Sequence, residues 1–144
     1  MNHLVIRAGE SVSFNKVAGK RTVANGYQQA LEIAYGNYVL GTGGGICQVS
    51  STLYNAVVNA GLTVNKRTPH AIPSSYVDKG KDATVSDDRY DFVFTNNTGA
   101  NIYIDLVEFD AYNLPNEALN SGDIDLNAFQ HKAYLAKDCS ANGY

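Results

Sequence analysis

The chain has 144 residues, of which 44% are hydrophobic and 17% charged, with a formal net charge of −3. That balance suits one domain with its own core and excludes the low-hydrophobicity, high-charge signature of disorder. An acidic surplus offers no general attraction for phosphates, which argues against nucleic acid as a partner. No apolar run is long enough to form a transmembrane segment, and the N-terminus turns polar too soon to read as the core of a signal peptide.

From the N-terminus, HLVIRAGESVSF reads as two short β pieces around a Gly-Glu turn. A short helix is predicted from Tyr27 to Ala34 after the Asn25-Gly26 turn signal, and NYVL at 37–40 reads as a strand leading to the glycines. The best-supported element is a helix over 46–60. Ile46, Val49, Leu53, Ala56, Val57 and Ala60 recur at helical spacing as the core face, and Gly61 supplies a stop. Cys47, Ser50, Ser51, Tyr54 and Val58 form the neighbouring stripe. LTVNKR, DATVS, YDFVF and NIYIDLVEF read as strands, with TNNTGA as a hairpin turn between the last two; LNAFQHKAYLAKD has an ambiguous period. Ten tyrosines without a tryptophan also favour β-structure. The expected class is therefore α+β, an antiparallel sheet packed on a central helix that begins at the Gly-rich Cys loop.

GTGGGICQ puts three glycines directly before Ile46-Cys47. A helix N-terminus presents unpaired amides and a positive dipole end that favour a thiolate, so Cys47 is a candidate nucleophile. Gly44 and Gly45 would let a substrate approach closely, and the Gly45 and Cys47 amides, with Gln48 beside them, could hold an oxyanion. His70, flanked by Pro69 and Pro73, is the natural base among three histidines, and Asp82 is the candidate to orient it. The order cysteine at a helix start, then histidine, then acid is loosely papain-like and transglutaminase-like. Arg67 could pair with Asp82 or with a substrate carboxylate, and Tyr76, with Tyr35, Tyr38 and Tyr54, could line a groove for sugar or peptide.

Other chemistries fit less well. A phosphate loop needs Lys followed by Ser or Thr where Ile46-Cys47 stands. Two cysteines, Cys47 and Cys139, are too few for a disulfide framework, and a zinc site drawn from Cys47, His70 and Asp82 lacks close paired spacings, so no metal or other cofactor is expected. NNT at 96–98 matches a glycosylation acceptor, though Asn and Thr are also ordinary turn residues.

The stretches GESVSFNKVAGKRT, GYQQA, GTGGGICQVSSTLYNAVVNAGL, KRTPHAIPSSYV and GKDATVSDDRYDFVFTNNTGANIYI run in order from about Gly9 to Ile104. Together they resemble the VanW-like domain family, named for an accessory protein of some vancomycin-resistance clusters. The shared pattern takes in Gly43 to Gln48, Arg67, His70, Tyr76 and Gly80 to Val85. The resemblance implies an extracellular or cell-envelope location, with peptidoglycan or a cell-surface peptide as partner. Residues 110–144 carry no recognised family feature and read as a divergent C-terminal extension of a single domain over 1–144.

The expected function is cysteine-dependent acyl transfer or amide hydrolysis on peptidoglycan stem peptides or a surface protein, as in a cysteine peptidase or transpeptidase. Cys47 would attack, His70 would move the proton and Asp82 would orient the ring. The alternative is a non-catalytic envelope module that binds peptidoglycan or a partner, its glycines serving tight packing and its tyrosines a contact surface.

Overall fold

The structure, a computed structural model, describes residues 2–34, 37–74, 76–127 and 132–143. The chain is α+β, but the strands form three small antiparallel sheets where the sequence suggests one. Strand β1 (Leu4–Ile6) and strand β2 (Ser11–Ser13) flank a turn at Gly9, where φ is 78°. The two do not pair with each other. Helix α1 (Phe14–Ala18) follows at once, because Ser13 caps it by accepting from the Lys16 amide.

The predicted helix over 27–34 is a correction: Gln29–Ala34 is strand β3, paired along its whole length with strand β4 (Asn37–Thr42). QALEIA is rich in helix formers, but six consecutive cross-strand pairs outweigh a propensity of tenths of a kcal/mol per residue. Helix α2 (Ile46–Asn59) stands where the periodicity puts it and ends before Gly61, at φ 69°. Its buried face is turned from the predicted one. Leu53 and Val57 are in the core, but so are Ser50 and Ser51, whereas Val49 and Ala60 are exposed.

Strand β5 (Thr63–Lys66) and β2 lie on either side of strand β6 (Val93–Thr95), and strand β7 (Ile102–Ile104) pairs with β1. TNNTGA is therefore not a hairpin. It carries the chain from one sheet to another, held by Asn96, which is fully buried and donates to the carbonyls of Ile6 and Ala100 at 2.9 and 2.7 Å. An amide committed in this way is no acceptor for a glycan. DATVS, too, is not a strand, for reasons that belong to the site.

The core gathers Ile6, Phe14, Leu53, Val57, Phe92 and Phe94. Phe92 and Phe94 stack at 5.4 Å, and Tyr54 of α2 meets Phe92 edge-on at 5.7 Å. Each such aromatic adds roughly 2–3 kcal/mol by burial, so this cluster is what fastens α2 to the sheets. Beyond it, helix α3 (Leu114–Ser121) and helix α4 (Lys132–Asn142) are tied by Asn116 Nδ2 donating to Asp138 at 2.7 Å. No helix among the described residues is long and apolar enough to cross a membrane.

Candidate active site

The glycines build the approach to Cys47. Gly43 donates to the Gln28 carbonyl at 2.9 Å, and a Cβ on Gly44 would lie 2.8 Å from the Ala30 backbone, so only glycine fits against β3 there. Gly45, at φ 92°, turns the chain into α2. Within that turn the Ile46 and Gln48 amides donate to the Gly43 and Gly45 carbonyls, at 3.2 and 3.0 Å. The Cys47 amide has no such acceptor among the described residues. Its thiol is half-buried and reaches the Val85 carbonyl at 3.5 Å.

The chain returns to Cys47 twice. After β5, His70 places its backbone amide and ring Nδ1 on one oxygen of Asp82, Oδ2, at 2.5 and 2.6 Å. Asp82 is 6% exposed. Its other oxygen, Oδ1, accepts from Arg67 Nη2 at 2.8 Å, and its carbonyl accepts from Arg67 Nε at 2.6 Å. With Nδ1 engaged by Asp82, Nε2 is the ring nitrogen left to interact with Cys47, whose side chain raises the His70 pKa. Cys47, His70 and Asp82 are thus contiguous.

Two serines that sequence reasoning left on a neutral stripe make this contiguity possible. Ser50 donates to the Ala83 carbonyl at 2.6 Å, and the Ala83 amide donates to Ser51 at 2.9 Å. Ser51 in turn donates to the Cys47 carbonyl at 2.7 Å. The helix face thereby satisfies the two Ala83 backbone groups that a neighbouring strand would otherwise take, and 82–86 belongs to no sheet. The legible signal was a polar pair on a helix one turn after the cysteine, facing a segment that reads as a strand.

The remaining candidates fall around this cluster. Tyr76 sits edge-on to His70, with ring centroids 6.4 Å apart. Arg67 faces Asp82 and lies over the Tyr54 ring at 5.1 Å. A cleft of about 300 Å³ borders His70 and Asp82, walled by Pro69, Pro73 and Val77 with Lys79 on its lining. Tyr35 and His131 lie outside the described residues. His3 bonds Asp105 at 2.7 Å and takes no part.

Hydrogen bonding to Cys47, with the sulfur accepting from the protonated ring, raises the His70 pKa above its ordinary value; burial opposes it and Asp82 assists. Burial pushes Asp82 upward, but the His70 amide and ring outweigh it and hold the carboxyl below its ordinary range. Burial raises Tyr76, partly offset by a hydrogen bond with Ser51, so its phenol remains a proton donor at neutral pH. The cluster therefore combines a thiol, an imidazole that readily carries a proton and a carboxylate that stays ionised.

Residues 1–114 match the family described as VanW like protein, reaching the first residue of α3. YoaR of Bacillus subtilis (strain 168), described as uncharacterized, is 50% identical over 95 residues, covering 66% of this chain and 31% of that protein. Vancomycin B-type resistance protein VanW of Enterococcus faecalis (strain ATCC 700802 / V583) is 32% identical over 103 residues, covering 68% of this chain and 38% of the relative. D-methionine-binding lipoprotein MetQ of Yersinia pestis is 61% identical over 41 residues, covering 28% of this chain and 15% of the relative. The chain thus spans well under half the length of these relatives. No solved structure matches it. With most of its length matched, from β1 through the Cys47 loop to β7, the chain belongs to the VanW-like family.

Proposed function

We propose that Cys47, His70 and Asp82 form a nucleophilic triad for acyl transfer at amide carbonyls of the bacterial cell envelope, in peptidoglycan stem peptides or a surface protein. The observation that carries this reading is the His70 ring, held by the Asp82 carboxylate at 2.6 Å on one side, with Cys47 raising its proton affinity on the other. Cys47 Sγ, as thiolate, attacks the carbonyl carbon, and a C–S bond forms while the carbonyl π pair moves to oxygen. The Cys47 and Gly45 amides, with Gln48 and Tyr76 nearby, stabilise that oxyanion, and Gly44 keeps the approach open. His70 gives its proton to the leaving amine as the C–N bond breaks. It then takes a proton from the incoming water or amine, whose attack on the thioester breaks the C–S bond, releases the acyl group and restores the thiolate beside the protonated ring. Asp82 holds the imidazole in the tautomer that presents Nε2 to sulfur.

Three supports stand beside that observation. Cysteine at the start of a helix, histidine and acid follow the loosely papain-like order within one domain. The cleft beside His70 gives a leaving group room. The VanW relative is by name a vancomycin resistance protein, which favours an envelope substrate and an extracellular location for this chain.

Limiting iodoacetamide at neutral pH, with the adduct located by mass, tests the reading. Cys47 is expected to label ahead of Cys139, and His70→Ala to slow Cys47 labelling about tenfold, since an unassisted thiol is only a few per cent thiolate at that pH. Equal labelling of the two cysteines, unchanged in His70→Ala, would favour the non-catalytic binding module, which a cell-wall pull-down with Cys47→Ala would then retain in full.

A further inference from the structure

Arg67 makes contacts that a solvated strand-end charge does not make. Its guanidinium grips one residue twice, Nε on the Asp82 carbonyl at 2.6 Å and Nη2 on Asp82 Oδ1 at 2.8 Å. Bonding main chain and side chain of the same residue fixes the rotation of the carboxylate, so that Oδ2 alone is turned to the His70 amide and ring. The guanidinium plane also lies over Tyr54, two helical turns beyond Cys47 on α2, and its side chain is 20% exposed. Arg67 thereby joins the end of β5, the Asp82 segment and the helix that carries the thiol. Two of its five donors are thereby committed to Asp82.

We infer that Arg67 is a positioning residue, acting on Cys47 only through Asp82 and His70. The inference rests on the triad reading. A lysine cannot take its place, because an ammonium on a flexible stem retains the charge and loses the planar fork.

The test is a cycle of Arg67→Lys, His70→Ala and the double variant, with the rate of Cys47 alkylation as one readout and the NMR resonance of the His70 Nδ1 proton as the other. Arg67→Lys is expected to slow alkylation about tenfold, the order of one hydrogen bond to a charged group lost, and to shift or broaden the Nδ1 proton signal. In the His70→Ala background the same substitution is expected to change alkylation by less than about twofold, because its only route to sulfur is gone. Equal slowing in both backgrounds, or an Nδ1 signal unchanged in Arg67→Lys, would overturn the positioning role. If His70→Ala by itself leaves alkylation unchanged, the triad reading fails instead. The Nδ1 signal then decides the role of Arg67 alone: altered in Arg67→Lys, it upholds the hold on Asp82, and unaltered, it refutes it.

Discussion

The His70 backbone amide and its own ring nitrogen converge on a single oxygen of Asp82, at 2.5 and 2.6 Å. One carboxylate oxygen therefore sets both where the main chain passes and which way the imidazole faces. Ring orientation is tied to the path of the backbone, so it cannot drift without the loop moving.

Asp82→Asn tests that coupling. With the amide oxygen toward His70, the new NH2 faces the Arg67 donors; reversed, it faces the donors of His70. The expected cost is about 3 kcal/mol of stability, as for a buried pair robbed of one partner. Urea denaturation measures it, and dispersion of the His70 signals in NMR should narrow as the loop is released.

The pH dependence of stability has a defined sign at each end. Because the His70 value is raised above 6.5, chiefly by Cys47, its contribution is full below 6.5 and is lost as pH rises through the folded value. Asp82, held below 3.8 by His70 against the effect of burial, contributes fully above 3.8 and loses that contribution as pH falls through its folded value. Urea midpoints measured across pH should decline on both sides, and His70→Ala should flatten the alkaline decline.

Two neighbouring glycines should fail for different reasons. Gly44→Ala drives a methyl to within 2.8 Å of the Ala30 backbone, which cannot swing aside, and should cost about 2–3 kcal/mol by overpacking. Gly45→Ala meets open space but must hold φ near 92°, and should cost about 1–2 kcal/mol. Thermal unfolding should rank the two, and Gly44→Ala alone should also weaken the β3–β4 pairing seen by amide exchange.

Ser51→Ala should destabilise more than a helix-propensity argument allows. Alanine is the better helix former, yet the substitution strands the buried Ala83 amide, at about 1–3 kcal/mol. If the variant were as stable as the wild type in urea, the serine clamp would be dispensable.

What could be read from the sequence was whatever local chemistry determines. Gly45 and Gly61 bracket α2 because left-handed φ at its ends needs no partner, and Cys47, His70 and Asp82 stood out by residue type and order. What stayed hidden depends on partners distant in the chain. QALEIA became a strand because β4 pairs with it, and Ser50 and Ser51 turned inward because Ala83 offered two backbone groups. The connection over 95–100 looked like a hairpin because nothing local reveals that Asn96 bonds to Ile6. Arg67 was legible as a charge near the histidine, but its double grip needed the Asp82 segment to arrive beside it.

The first strands find their partners only near the far end of the matched region: Val12 lies opposite Phe94, and Leu4 opposite Ile104. A fragment stopped at Ser86 would hold every residue of the thiol cluster yet lack Phe92, Phe94 and the mates of β1 and β2. Dissection by truncation should thus meet a sharp lower limit close to Ile104. Shorter pieces would lose chemistry through collapse of their scaffold while every reactive group was still present.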